Sequence, residues 1–266
     1  MPLFKKRKIA LALGGGGARG IANIGVLKLL EHERIPIDLI VGSSIGGLIG
    51  ASYALGVPTY RMEEAALKFS MDKLADFAIS KISIVKGKKL EKLIEEFTDK
   101  KDFKDANIPI AITTTEIETG EEIVHTKGPL QKLIKASCSW PGIFPPVIIE
   151  GRKLGDGGIR NSIPVKAAKH LGATHVIAVD IGFCVKRGKI DNLFQMFMQS
   201  IQILGEELDS YQSMQADVVI KPKLHNIDQF AFQHGKEAVQ DGEKAARKAI
   251  PQIKRKLKLN FNLWKR

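Results

Sequence analysis

The sequence contains little cysteine and no long apolar run, and both absences narrow the class of protein. Its 266 residues include two cysteines, Cys138 and Cys184, too few for a disulfide framework, and no residues near them complete a metal-binding spacing. No stretch approaches the ~20 apolar residues that a membrane-spanning helix needs. The apolar run after the first basic residues is too short for a signal peptide and ends in four glycines. We therefore expect a cytoplasmic protein, or one that lies peripherally at a membrane.

Linkers, low-complexity tracts and internal repeats are missing as well. No Pro- or Ser-rich stretch and no change in composition divides the chain, and no repeat period of about 20 to 50 residues is present. We expect one domain over residues 1–266. Its motifs lie in a core of residues 8–182, and residues 183–266 form a helical remainder with a basic tail.

Acidic residues are the minority charge. The 41 Lys and Arg against 29 Asp and Glu leave a formal net charge of +12, which attracts phospholipid headgroups, nucleic acid or acidic partners. Basic residues concentrate at 5–8, 86–89 and 254–266. The last segment also holds Leu257, Phe261 and Trp264, a mixture that suits an anionic membrane surface, although a solvated helix end is the more common explanation. No recognition motif supports nucleic-acid binding.

Short apolar strands alternate with helical patterns along the chain. The first strand, residues 9–13, precedes a helical pattern at 20–33, and the second, residues 39–41, leads into a helix at 48–55. The spacing predicts further strands at 108–117, 174–181 and 217–220, and helices at 88–97, 129–137, 164–170, 193–211 and 234–249. This alternation predicts an α/β fold with three layers, α/β/α, around a mainly parallel sheet.

Two glycine-rich turns follow the first two strands, at the edge of the sheet where sites form. The first, residues 15–20, satisfies the G-x-G-x-x-G pattern, which is also the dinucleotide-binding pattern. A dinucleotide site further needs an acidic residue at the carboxyl end of the next strand, to hold the ribose. Asp38 lies at the opposite end of that strand, so the ribose contact is missing.

The same glycine loop suits an oxyanion hole. The amides of Gly15, Gly16 and Gly17 stand before a helix without side chains in front of them, where they can donate to developing negative charge. Arg19 adds a cation for the oxyanion or for a substrate phosphate. A plain tight turn with a solvated Arg19 is the simpler interpretation, but four consecutive glycines exceed what a turn needs.

The second glycine turn, residues 42–46, matches G-x-S-x-G between an apolar strand and a helix. Small residues must flank the serine because the strand-to-helix turn is tight. Ser44 occupies the central position, at a helix N-terminus whose dipole favours an alkoxide, and Ser43 does not match it. We therefore predict Ser44 as the nucleophile, against a chance match among 25 glycines.

A serine nucleophile needs a general base, which is usually a histidine. His225 and His234 are placed late enough in the chain, but neither has loop residues that mark it as a base. Asp156 lies between glycines at residues 155–158, where the backbone can approach another loop and leave the carboxylate free. The simpler interpretation of this Asp-Gly pair is a hairpin turn.

Residues 15–20, 42–46 and 156–158, in this order, resemble the three signatures of the patatin-like phospholipases. The resemblance continues through the Pro-rich segment 136–146, Asn161, Pro164 and residues 179–182. It implies a Ser–Asp dyad in which Asp156 activates Ser44. It also implies an oxyanion hole at Gly15, Gly16 and Gly17, with Arg19 adjacent. A lipid acyl ester is the implied substrate, and no metal or organic cofactor is implied.

The main hypothesis is therefore a serine hydrolase of lipid acyl esters that passes through an acyl-enzyme on Ser44. A regulatory or binding protein of the same fold, with little or no activity, is the alternative. The segment 193–204 is apolar nearly all round. It would suit a lid or an acyl-binding wall, although a core helix is the more common explanation for such a pattern.

Overall fold

The computed structural model describes residues 7–68, 76, 82–183, 185 and 189–258. Cys184, residues 186–188 and most of the basic tail, residues 259–266, lie outside this part of the chain, as do residues 1–6 and most of 69–81. The described strands are β1 (Ile9–Leu13), β2 (Leu39–Ser43), β3 (Ile110–Glu116), β4 (Glu122–His125), β5 (Val147–Ile149), β6 (Arg152–Asp156), β7 (His175–Val179) and β8 (Val218–Ile220).

The described helices surround these strands. They are α1 (Ala22–His32), α2 (Ile45–Ala54), α3 (Thr59–Leu67), α4 (Lys88–Thr98), α5 (Leu130–Ser137), α6 (Gly158–Asn161), α7 (Val165–His170), α8 (Leu193–Ser213) and α9 (Gly235–Lys256). A short 3₁₀ helix over Gly17–Ile21 precedes α1. None of the described helices is long and apolar enough to cross a membrane.

All eight strands belong to one sheet, in the order β5-β6-β3-β2-β1-β7-β8, with β4 also paired to β3. The central pairs β3–β2, β2–β1, β1–β7 and β7–β8 are parallel. The β4, β5 and β6 strands are antiparallel to their neighbours. The predicted α/β class with a mainly parallel central sheet is thus confirmed, and the sheet carries an antiparallel edge that the sequence analysis did not anticipate.

The core lies on both faces of the sheet, as a buried parallel sheet requires. Strand β1 is buried over its whole length. Ile9, Leu11 and Leu13 face the large cluster that contains α1, α2 and α9. Ala10 and Ala12 face the smaller cluster that contains α7. Because side chains alternate along a strand, one five-residue segment supplies both layers of the core.

Candidate active site

Ser44 lies in a strained turn between β2 and α2. Its φ of 53° and ψ of −130° are outside the regions that residues with a side chain prefer. Glycines make the turn possible, because a Cβ on Gly46 would lie 2.3 Å from the Leu13 carbonyl oxygen. A Cβ on Gly42 would lie 2.5 Å from the Cα of Gly47. The small residues of the G-x-S-x-G pattern are therefore required by close backbone packing.

A second serine holds this turn in place. The Ser44 amide donates to the Ser137 hydroxyl at 2.8 Å, and the Ser137 hydroxyl donates to the Thr113 carbonyl at 2.7 Å. Ser137 is fully buried at the end of α5, and β3 supplies Thr113. The main chain of Ser44 is thus tied to two other elements, which helps to maintain its unfavourable conformation.

Asp156 approaches the Ser44 hydroxyl from β6, one of the antiparallel strands at the edge of the sheet. The Ser44 hydroxyl donates to Asp156 Oδ2 at 2.7 Å, and the Gly158 amide donates to Asp156 Oδ1 at 2.7 Å. A Cβ on Gly157 would lie 2.5 Å from the Thr113 carbonyl oxygen, which explains why glycine follows the aspartate. Asp156 ends β6, and the hairpin turn in this region is at Glu150 and Gly151 instead.

Burial controls the charge of this carboxyl group. Asp156 is 2% exposed, and burial raises its pKa to about 7, although hydrogen bonds from Ser44 and the Gly158 amide lower it. Burial also raises the pKa of the adjacent Cys138 thiol, and the negative charge of Asp156 adds to this effect. Cys138 therefore stays a neutral thiol, and the Asp156 carboxyl beside Ser44 titrates near neutral pH.

The glycine loop lies directly beside Ser44. A Cβ on Gly15 would lie 2.9 Å from the Cβ of Ser44. The Gly15 amide, however, donates to the Ser162 carbonyl at 3.0 Å, so it is not available to an oxyanion in this conformation. Within the described part of the chain, the amides of Gly16, Gly17 and Ile45 have no acceptor, and these three residues line the pocket at Ser44.

Arg19 is buried behind this loop. It is 3% exposed, so the interpretation of a solvated Arg19 in a plain turn is wrong. Its Nη1 donates to the Gly182 carbonyl at 2.9 Å and its Nη2 to Gln202 Oε1 at 3.2 Å. Its Nε has no hydrogen-bond partner among the described residues. A buried guanidinium with a free donor lies in the wall of the pocket, where it favours negative charge.

Polar side chains of α8 hold the loops that surround the site. Asp209 accepts hydrogen bonds from the Ser162 hydroxyl and from the Phe183 amide, the latter at 2.9 Å. Gln212 accepts from the Ile163 amide at 3.1 Å. Burial raises the pKa of Asp209 to about 6, and the nearby Asp180 adds to this increase. Because the Ser162 carbonyl accepts the Gly15 amide, Asp209 is connected to the glycine loop through one residue.

An apolar pocket opens in front of Ser44. The empty space between its walls is about 970 Å³, which includes the part that is open to solvent. Ser44, Asp156, the glycine loop and Arg19 form its polar end. The rest of its wall is mostly apolar and aromatic: Leu48, Leu90, Leu93, Trp140, Ile143, Phe144, Phe183, Phe230 and Phe232. A long acyl chain fits such a wall, whereas a charged or sugar-containing group would leave its polar atoms without partners.

The histidines of the described residues lie outside the pocket at Ser44. All six histidines lie in the described part of the chain, and none lines the pocket. His225 and His234, the two considered from the sequence, are likewise outside it. The described residues also contain no group of three or more His, Cys, Asp or Glu side chains arranged to hold a metal ion.

The fold and the site together define a class of protein. The profile of the patatin-like phospholipases matches residues 11–169, more than half of the chain, and the protein belongs to this family. The expected resemblance is thus confirmed.

Two curated relatives are similar to this chain. Patatin-like phospholipase domain-containing protein 6 of Mus musculus is 36% identical over 182 residues, 65% of this chain. Lysophospholipase nte1 of Aspergillus fumigatus is 37% identical over 214 residues, 78% of this chain. The matched region is 13% of each relative's length. The crystal structure of VipD from Legionella pneumophila shares the fold, with a TM-score of 0.53 and 13% identity, over 93% of this chain and 67% of VipD.

Several residues of the site were not found from the sequence. Ser137 lies in the Pro-rich segment that carried the resemblance, but nothing in its spacing shows that it binds the Ser44 amide. Gln202 and Asp209 belong to a helix that was interpreted through its apolar residues. The signal that could have found them is that polar residues interrupt an otherwise apolar helix, because polar side chains need hydrogen-bond partners when they are buried.

Proposed function

We propose that this protein hydrolyses lipid acyl esters with a Ser–Asp dyad, in which Ser44 is the nucleophile and Asp156 the general base. The observation that carries the proposal is the 2.7 Å hydrogen bond from the Ser44 hydroxyl to Asp156, at the polar end of an apolar pocket. The membership of the patatin-like phospholipase family supports the class of reaction. The similarity to a lysophospholipase of Aspergillus fumigatus supports the class of substrate.

The reaction begins when Ser44 Oγ attacks the ester carbonyl carbon and Asp156 Oδ2 accepts the hydroxyl proton. The carbonyl oxygen becomes an oxyanion, which the amides of Gly16, Gly17 and Ile45 stabilise, with Arg19 nearby. When the tetrahedral intermediate collapses, the carbon–oxygen bond to the alcohol breaks and Asp156 returns the proton to the leaving oxygen. Water, deprotonated by Asp156, then attacks the acyl carbon; as the bond from this carbon to Ser44 Oγ breaks, Asp156 returns the proton to Ser44 Oγ and the fatty acid leaves.

The decisive experiment is covalent labelling with a fluorophosphonate, combined with an assay for released fatty acid over a panel of phospholipids, lysophospholipids and neutral esters. Ser44→Ala abolishes both signals, and Asp156→Asn lowers hydrolysis at least a thousandfold. Ser43→Ala is the matched control, because Ser43 is buried next to Ser44 and its hydroxyl has no partner among the described residues. A folded wild-type protein that neither labels nor hydrolyses any ester contradicts the proposal and favours a binding function.

The pH dependence tests the assignment of the base independently. Asp156 accepts a proton only as a carboxylate, and its pKa is raised to about 7. We expect kcat/KM on a soluble ester to fall as the pH drops through about 7, and to level off above it. A profile that stays flat from pH 5 to pH 8 would show that another group is the base.

A further inference from the structure

Helix α8 buries polar side chains and exposes apolar ones. Its buried side chains are polar: Gln202, Asp209 and Ser213 are all less than a tenth exposed. Seven large apolar side chains of the helix are exposed: Leu193, Met196, Phe197, Ile203, Leu204, Leu208 and Tyr211. A helix of a globular protein ordinarily has the opposite arrangement. The interpretation as a core helix is therefore wrong.

Five of these exposed apolar residues form a stripe along one side of the helix, which the exposed Ser200 and Glu207 interrupt. Leu193, Phe197, Leu204, Leu208 and Tyr211 recur at spacings of four, seven, four and three residues, which place them on one side of a helix. The stripe is about 27 Å long at 1.5 Å per residue. Seven of the seventeen exposed large apolar side chains among the described residues lie on this one helix, which is an unusual concentration. Such patches mark binding surfaces.

The inward side of the same helix packs behind the pocket wall, against residues that line the pocket. Gly205 packs so tightly on Phe183 that a Cβ there would lie 2.3 Å from the ring. Phe183 lines the pocket and lies 5.8 Å from the Trp140 ring, centroid to centroid. Gln202 binds Arg19 and also Gln229, both of which line the pocket. Helix α8 therefore supports the pocket wall from behind, and the stripe lies on the opposite side of this helix, which is about 10 Å across.

The charges on α8 indicate which kind of surface fits the stripe. The helix contains no Lys or Arg, and its exposed Glu206 and Glu207 are negative. The negative charge of an anionic membrane therefore does not strengthen binding through this face, and the burial of apolar side chains must supply the free energy of binding. If the substrate is a lipid, it reaches the pocket from a micelle or bilayer. An exposed apolar stripe on a helix that packs behind the pocket wall gives such an aggregate an apolar surface close to the site.

We propose that the outer face of α8 docks on the surface of the substrate lipid aggregate, with its apolar stripe in the acyl boundary, and that zwitterionic lipid suffices. This inference rests on the proposed function for the identity of the occupant. It differs from the expected contact of the basic tail with anionic membranes, which salt weakens. Contact through the stripe persists at high salt, because burial of apolar groups does not depend on charge.

The test is flotation with phosphatidylcholine vesicles in 0.5 M NaCl, a condition chosen to suppress contacts by the basic segments. The protein carries Ser44→Ala so that lipid is not consumed. Phe197→Ser with Leu204→Ser should reduce the bound fraction at least tenfold. The matched control is Tyr60→Ser with Ile148→Ser, since these residues are exposed to similar degrees, 62% and 68% against 59% and 72%, but lie outside α8. The control should bind as the parent does.

Hydrolysis separates this inference from the proposed function. With Ser44 intact, the α8 variant should cleave a monomeric soluble ester at the parent rate and vesicle lipid at least tenfold more slowly. Equal vesicle binding by parent, α8 variant and control overturns the inference, whatever the hydrolysis shows. A parent that forms a dimer, which the α8 substitutions dissociate without changing vesicle binding, overturns it in favour of a second copy. If the α8 substitutions abolish vesicle binding while the parent hydrolyses no ester, the docking inference is upheld and the proposed function is refuted.

Discussion

Two long helices follow the motif-bearing part of the chain, and they are opposite in construction. Helix α9 buries Val239, Ala246 and Ile253 and exposes lysines, as amphipathic helices do. It packs on α1 so closely that a Cβ on Gly242 would lie 2.1 Å from the Ala22 carbonyl oxygen. Helix α8 buries polar groups that hold the loops of the site. The difference indicates that α9 stabilises the fold, whereas α8 positions the site.

The largest effect should come from the contact of α9 with α1. Gly242→Val places a side chain against the main chain of α1, which cannot move without displacing the core. We expect a loss of more than about 4 kcal/mol of unfolding free energy, or no folded protein at all. Thermal unfolding followed by circular dichroism measures it. Lys248→Val, which introduces the same residue on the exposed side of α9, should change stability by less than about 0.5 kcal/mol.

The next effect concerns the pH dependence of stability. Asp209 of α8 has its pKa raised from 3.8 to about 6, so the folded state retains a proton that the unfolded state releases between these values. The unfolding free energy contributed by this group therefore decreases as the pH rises from about 4 to about 6, by up to about 3 kcal/mol. Asp209→Asn should remove this part of the decrease, as measured by urea unfolding at pH 4.5 and pH 8.

The control for that experiment lies on α9. Asp241→Asn makes the same chemical change at a residue paired with exposed Lys244, at 3.0 Å. The pH dependence of its unfolding free energy should equal that of the wild type. If Asp209→Asn and Asp241→Asn change the dependence equally, the buried carboxylate of α8 is not its source.

A smaller effect is expected on activity. Asp209→Asn replaces an oxygen that accepts the Phe183 or Ser162 hydrogen bond by an amide group that donates, which loosens the loops beside the glycine loop. We expect kcat/KM on a soluble ester to fall about tenfold at pH 8, equivalent to about 1.4 kcal/mol. The Asp241→Asn protein should keep wild-type activity. Equal activity of both variants would show that α8 does not position the site.

The smallest effect should come from an ion pair of α9. Lys254 Nζ lies 2.7 Å from Glu33 Oε2, in the segment after α1, and both side chains are partly solvent-exposed. Lys254→Met should lower the unfolding free energy by less than about 1 kcal/mol and leave activity unchanged, because solvent screens such pairs. A loss of unfolding free energy above about 2 kcal/mol, measured by urea unfolding, would show that this end of α9 contributes far more to stability than its solvent exposure indicates.

The parts that could be predicted from the sequence are those with strong local signals. Fully apolar runs and glycine turns located β1, β2 and the elbow at Ser44, because a buried parallel strand leaves no polar positions. The antiparallel strands β4, β5 and β6 were missed. They are three to five residues long, and β5 and β6 are partly exposed at the edge of the sheet, so their sequences resemble loops.

Boundaries and long-range contacts were the other source of error. Helix α9 continues past Pro251 to Lys256, although the apolar spacing predicted an end at residue 249. The glycine loop was placed correctly at the pocket. The Gly15 amide is occupied because it donates to the Ser162 carbonyl, which lies almost 150 residues away in sequence. No local pattern contains that contact, and the same is true of the hydrogen bond between Ser137 and Ser44.

The position of β1 at the centre of the sheet has a consequence for synthesis on the ribosome. It precedes the other described strands in the chain, yet one of its two neighbours, β7, begins at His175, and the helix that covers α1 begins at Gly235. Until those segments have been translated, the apolar Ile9–Leu13 run has an open edge and an uncovered face. The burial of β1 is therefore complete only after α9 has been translated, and until then its apolar surface is open to aggregation.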